Sequence, residues 1–460
     1  MMLRLRWLSI SVCLAVAALV VSESATPVHA QGKGGGDANV MLPRGGTDGL
    51  KKRVQSPEYR AIWAALFKGE RPYTPADKEV IDTAAQWFVY RVTWIEYHEE
   101  ATKEQPGKLD LLVKEFERDL IVANKKETRF KTEQFIQNYG KQVLETIKDV
   151  LHNDRAIARI NAARMLSRLA GYGIEETGDL LAETLNDPKQ IDAVKFWTLR
   201  GLASYFNLTR GENRIRIRDE ERQKRCIQAL LAYFNRKPSA EILAYLNRKV
   251  DDEKEPTEEE ELVLRPHREE LAAFRYVRRE NLRALAETRN PALIGKDKKP
   301  LPDADTALSV LKLLRNDGVV PEPDLAEQVE AAIAICQLEP ELMPLYQSDY
   351  AAYHVGRFLV DFIQRSIDER QHAKEPWKVH AARLAVALEE FRNNARRSDG
   401  REYVNALVTR AKPMLDTLEK GQTPRPAELN AWLGQNPPKS PSLYRGVETS
   451  VLKTAEKPAE

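Results

Sequence analysis

The chain is short of cysteine, of net charge and of strand-forming segments, and each shortage narrows what it can be. Of its 460 residues, three are cysteine: Cys13, Cys226 and Cys336. No Cys-x-x-Cys-His run is present, which excludes covalent attachment of a c-type haem. Lysine plus arginine number 71 and aspartate plus glutamate 69, a formal charge of +2. A balance this even gives no support for sequence-independent nucleic-acid binding, which draws on a basic surface and counterion release. Beyond the N-terminus no apolar run approaches the roughly 20 residues that span a bilayer as a helix. Gly-x-Ser-x-Gly elbows, phosphate loops and dinucleotide fingerprints are missing as well. His98-Glu99-Glu100-Ala101-Thr102 falls short of a zinc-protease helix, because Thr102 stands where the second histidine belongs. His372 and His380 have Pro376 between them, so no single rigid helix presents both to one metal, and both read as surface residues. No cofactor and no metal ligand set is expected.

What is present begins with an export signal. Arg4 and Arg6 precede an apolar run, Trp7–Val21, broken only by Ser9 and Ser11, and Val28-His29-Ala30 places small residues at the −3 and −1 positions of a cleavage site. This is the three-part pattern of a cleavable secretory signal over residues 1–30, and it implies a periplasmic or extracellular location. The run is too short for a spanning anchor. After cleavage the net charge is +1, and only Cys226 and Cys336 remain. An oxidising compartment permits a disulfide between them, yet each lies among the apolar residues of a helix and reads more readily as a small core residue. Residues 31–55 are glycine-rich and read as a flexible linker.

From Ser56 onward the periodicity is helical. Ser56-Pro57-Glu58 is a helix start, with a cap followed by proline in the first turn. Apolar stripes at spacings of three and four recur through regions 56–135, 136–210, 211–300 and 301–420. The spacing of Trp87, Tyr90, Trp94 and Tyr97 predicts one face of a long helix. It suits core packing better than a sugar-stacking surface. Ile215-Arg216-Ile217-Arg218 alternates, but four residues in a charged stretch make at most an edge or a turn. The acidic run 251–261 reads as a solvated loop leading into a helix N-terminus. From 421 the chain is proline-rich and reads as an extended tail with a short helix around Leu429–Leu433. The fold class is therefore all-α.

One internal duplication stands out. Leu151, Ile157, Ile160 and Ala163 align with Leu185, Ile191, Val194 and Trp197 at a register of 34 residues, which slips to 33 where Leu166 meets Leu199 and Leu169 meets Leu202. The turn His152-Asn153-Asp154 aligns with Asn186-Asp187-Pro188. Each copy is a helix, a polar turn and a returning helix, a unit that buries its apolar face only by stacking on neighbours. In Asp187-Pro188, Val194-Lys195, Leu199, Leu202 and Ala203 the sequence resembles HEAT repeats. The preceding unit matches through Asn153-Asp154, Ile160, Ala162-Ala163 and Leu166, but carries Asn161 where such units favour a basic residue. A looser third unit spans Leu308–Leu338, interrupted by Gly318–Asp324. The resemblance covers mainly residues 139–207. It implies helical-hairpin repeats in an irregular α-solenoid or helical array, whose concave face suits another protein or an envelope polymer.

The functional expectation is thus an exported, non-catalytic protein-interaction scaffold. It rests on fold analogy. Two other readings stay open: a hydrolase acting on an envelope polymer or polysaccharide through two carboxylates, and a structural component of the cell envelope.

Overall fold

The computed structural model describes residues 46–98, 107–125, 127–208, 219–247, 258–368 and 376–446. These fold into seventeen α-helices with short 3-10 turns and no strand; the only β pairing among them is two isolated bridges, Ile294 with Pro300 and Tyr346 with Tyr444. The chain is all-α, as the periodicity predicts. None of the described helices is long and apolar enough to cross a membrane.

Local chemistry accounts for many of the helix ends. α1 (Gly46–Gln55) runs to the turn before α2 (Pro57–Phe67), where the Ser56 hydroxyl accepts from the Tyr59 amide at 3.2 Å and Pro57 occupies the first turn. Gly69 follows at φ +68°, a left-handed conformation that suits glycine at a helix stop. α3 (Lys78–Tyr90), α4 (Lys108–Ala123), α5 (Arg129–Val150) and α6 (Ala156–Leu169) come next. α7 (Thr177–Asn186), α8 (Asp192–Asn207) and α9 (Glu220–Phe234) follow, the last capped by Asp219 accepting from the Arg222 amide at 3.0 Å. α10 (Ala240–Asn247) precedes the long α11 (Glu258–Thr288). α12 (Thr306–Leu314) is capped by Asp305, and α13 (Leu325–Gln337) opens with a reciprocal capping box between Asp324 and Glu327. α14 (Ser348–Asp368), α15 (Trp377–Asn394), α16 (Arg401–Glu419) and α17 (Pro426–Gln435) complete the set.

The helices pack in two rows, because successive hairpins send one helix to each. α4 packs on α6, α6 on α8, α8 on α11, α11 on α13 and α13 on α15, and α15 pairs with its own hairpin partner α16. In the second row α3 packs on α5, α7 on α9, and α12 on α14, with α17 against α14. Within hairpins α5 meets α6, α7 meets α8, α9 meets α11 and α12 meets α13. The α6–α8 seam is close: a Cβ on Gly201 would lie 3.2 Å from the Ser167 Cα and 2.6 Å from a Leu181 methyl, so only glycine fits without a shift. One apolar core runs from Trp63 to Tyr444, and a small satellite of Ile242, Leu271 and Phe274 joins α10 to α11. The sequence regions 56–135, 136–210, 211–300 and 301–420 are thus stretches along one continuous core.

Several expectations need correction. The glycine-rich linker was expected to reach residue 55, but α1 already begins at Gly46 and buries Leu50 and Val54. Residues 1–45, which include the expected signal segment, lie outside the described residues, as do Ile215–Arg218, most of the acidic run 251–261 and His372. The aromatic stripe is not one helix face: α3 stops at Tyr90, and residues 91–93 and 95–97 form 3-10 turns around an extended Trp94. The buried Arg91 causes the compaction, its guanidinium 4.1 Å from the Trp87 ring centre and hydrogen-bonded to Glu115 at 3.1 Å and Tyr97 at 3.2 Å. Cys226 and Cys336 are free, separately buried thiols, with Cys226 donating to the Gly178 carbonyl at 3.4 Å; no disulfide joins them. Burial pushes the Cys226 thiol up to about 12, so it is unreactive.

The proline-rich C-terminal segment is not a free tail as far as residue 446. Beyond α17 it straps back onto the body, its backbone pairing with the 345–347 segment through Gln347 to Leu443 and Arg445 to Leu345, both 2.9 Å. Leu443 and Tyr444 are fully buried. The Tyr444 hydroxyl donates to the Asp305 carboxylate at 2.6 Å.

His380 was expected at the surface and is instead buried within α15. Burial, with the Arg383 charge beside it, lowers its pKa to about 4. His354 is held at about 3 by burial and by the Arg315 and Arg357 charges. A histidine whose folded pKa lies below its unfolded value of about 6.5 takes up a proton on unfolding, so stability falls as the pH drops through that interval. Asp305, raised to about 6 by burial, works in the opposite direction below that pH. Two histidines against one aspartate leave a net loss of roughly 2–3 kcal/mol between about pH 7 and about pH 5. Denaturant titrations at the two pH values read this directly, and His354→Gln should flatten the slope. A stability that rises on acidification would contradict the assignment.

Candidate functional site

The row from α4 to α15 presents two adjoining hollows. The first, about 500 Å³, lies between α4, α6 and α8, with Glu117, Arg168, Tyr172, Trp197 and Arg200 in its lining. The second, about 350 Å³, continues across α8, α11, α13 and α15, with Glu280, Arg283, Glu330, Gln337 and Arg383 in its lining. Arg200 and Ser204 belong to both, so the hollows form one trough drawing on six helices of a single row.

Arginine–carboxylate pairs stitch the seams beneath this trough. Arg164 of α6 bonds Asp110 of α4, and Arg168 lies 3.5 Å from Glu117. Glu330 of α13, only 3 % exposed, accepts from Arg283 of α11 at 2.5 Å and from Arg383 of α15 at 2.6 and 2.8 Å. Burial alone would raise the Glu330 carboxyl; the two guanidinia outweigh it and hold it at about 2. Glu280 is bonded to Arg283 in turn. At the far edge Gln337 and Arg289 both reach Glu390 of α15.

Tyr172 and Trp197 line the half between α4, α6 and α8, and further rings brace Arg200. Trp197 has the Arg164 guanidinium 5.5 Å and the Arg200 guanidinium 5.3 Å from its ring centre. Phe196 stacks on Tyr276 of α11 at 5.4 Å with planes 24° apart. The sequence aligned Trp197 with the buried Ala163, yet Trp197 is half-buried and faces the trough. Arg200, Arg283, Glu330 and Arg383 carried no functional signal in the sequence. Glu330 gave one faint hint: an acid inside the apolar run Val329–Cys336 needs a buried partner.

Among the described residues no group of three or more histidine, cysteine, aspartate or glutamate side chains is placed to hold a metal ion. The His98 Nε2–H donates to the Val92 carbonyl at 2.8 Å, and Cys226 and Cys336 lie outside the trough lining. The carboxyls with raised pKa are dispersed as well: Asp305 beneath Tyr444, Asp82 on α3 and Asp361 on α14. No family description, curated protein or solved structure matches this chain.

Proposed function

We propose that this chain is an exported, non-catalytic scaffold of HEAT-type helical hairpins that binds a partner protein along the α4–α15 trough. The observation that carries the reading is the continuity of that trough: two hollows sharing Arg200 and Ser204 run across six helices of one row. A stacked row of hairpins offers such an extended surface because each unit contributes the same helix to the same side. Export rests on the charged start, apolar run and Val28-His29-Ala30 site of the sequence.

A two-carboxylate hydrolase would call for close acids of which one is kept protonated near neutral pH. In the trough Glu330 is instead held at about 2, and Glu117 and Glu280 are paired with arginines, so these acids support a binding role.

Photo-crosslinking tests the reading. A benzophenone amino acid placed at Ser204 or Gln337 should trap a partner in the native extract, whereas the same group at the exposed Glu145 of α5, in the other row, should not. Equal trapping at all three positions, or none at any, would sink it.

A further inference from the structure

The hollow between α4, α6 and α8 is unevenly charged. Its charged lining is Glu117, Lys125, Arg168 and Arg200, a formal balance of +2. Glu117 is matched by Arg168 at 3.5 Å, which leaves Lys125 and Arg200 as the surplus. Lys125 is exposed on a long flexible stem, an ordinary solvated cation. Arg200 is half-buried where the hollows meet, and it has no ion pair with any described residue, whereas Arg168, Arg283 and Arg383 each have one.

Arg200 is also held in place. Its guanidinium lies 5.3 Å from the Trp197 ring centre and 5.7 Å from that of Phe196. Those rings are braced in turn by Arg164 of α6 and Tyr276 of α11. A guanidinium stacked on aromatic faces keeps its edge donors free and loses little further rotamer entropy on binding. Partial burial without a counter-ion leaves it ready to gain from an incoming anion, because a charge-assisted pair is stronger where water is reduced.

The trough extends to both sides of this seat. Helix axes pack about 8–10 Å apart, and an extended chain advances about 3.3 Å per residue, so a segment of about 12–15 residues would follow the trough from α4 to α15.

Resting on the scaffold reading above, we propose that the Arg200 seat, backed by Trp197 and Phe196, receives a carboxylate side chain from an extended acidic segment of the partner protein. The surplus positive charge of the hollow between α4, α6 and α8 complements the part of the segment seated there, whereas the adjoining hollow is balanced, with Arg200, Arg283 and Arg383 against Glu280, Glu287 and Glu330.

A fluorescein-labelled 12-residue peptide alternating glutamate and alanine tests this by anisotropy, beside a counterpart with glutamine for glutamate. The glutamate peptide should bind at least about tenfold more tightly, and added salt should weaken it. Arg200→Gln and Arg200→Glu should each remove that preference. Arg401→Glu, the same charge change at an exposed residue outside the trough, should leave it intact. Thermal melts of each variant separate loss of the seat from loss of the fold, and Arg200→Gln is the milder change should Arg200→Glu melt early. Equal binding of both peptides, no binding of either, or equal effects of Arg200→Glu and Arg401→Glu would overturn the proposal. If a partner crosslinks at Ser204 and Arg200→Gln leaves that yield unchanged, the trough reading stands and the carboxylate seat alone fails. If nothing crosslinks and no peptide binds, both fail.

Discussion

Replacing Arg278 by methionine is expected to cost about 3–5 kcal/mol of stability, because it strands a buried carboxylate. Arg278 of α11 and Glu327 of α13 have side chains 5 % and 0 % exposed. They meet in a two-pronged pair, Nε to Oε1 at 2.5 Å and Nη2 to Oε2 at 2.9 Å, and Nη2 also donates to the Pro321 carbonyl at 3.1 Å. Glu327 has a second duty. It accepts from the Asp324 amide at 2.9 Å and so closes the capping box that starts α13. With Arg278 gone, the nearest cation is Arg275 at 3.7 Å, too far for a hydrogen bond to Glu327. A neutral partner changes the balance. Adding Glu327→Gln to Arg278→Met keeps a cap acceptor and removes the buried charge, so the double variant should recover part of the loss. Denaturant midpoints at unchanged slope measure both effects. If Arg278→Met falls within about 1 kcal/mol of the parent chain, water reaches this pair and the pairing argument is wrong.

The C-terminal strap carries the second large expectation. Tyr444→Ala should destabilise by about 3–5 kcal/mol, the usual range for deleting a buried aromatic side chain. The residue is fully buried and packs on Tyr346 with ring centres 6.2 Å apart. Its hydroxyl reaches the Asp305 carboxylate, which also accepts from the Leu308 amide at 2.8 Å as the cap of α12. Tyr444→Phe separates packing from hydrogen bonding: it keeps the ring and should cost about 1–3 kcal/mol, since it leaves Asp305 short of a partner in a buried place. It also removes a bond that lowers the Asp305 pKa, so that carboxyl should titrate higher still. Ending the chain after Asn436 should match Tyr444→Ala or exceed it. A truncated chain within about 0.5 kcal/mol of the parent would reduce the strap to a surface decoration.

These two sites show what sequence reading reached and where it stopped. Helices were legible because their causes are local. The Ser56-Pro57 start, the three-and-four spacing of Leu109, Leu112, Val113 and Phe116, and the glycine stop at Gly69 all act within a few residues. The same logic failed at Trp94, where spacing predicts a helix but a buried arginine draws the chain into 3-10 turns. It failed again at Tyr444, whose place in a proline-rich segment gave no sign of partners more than 90 positions away in sequence.

Composition, periodicity and capping residues determined that this chain is helical, nearly neutral and punctuated into hairpins, since each depends on neighbours within a turn or two. The tertiary structure alone decided which side chains share a surface. Arg200, Arg283, Glu330 and Arg383 span 184 positions and come together because alternate helices stack in one row. His380 became a buried neutral base and the proline-rich segment a strap for the same reason. Burial and charge pairing are set by neighbours distant along the chain, and a one-dimensional pattern carries no distance between them.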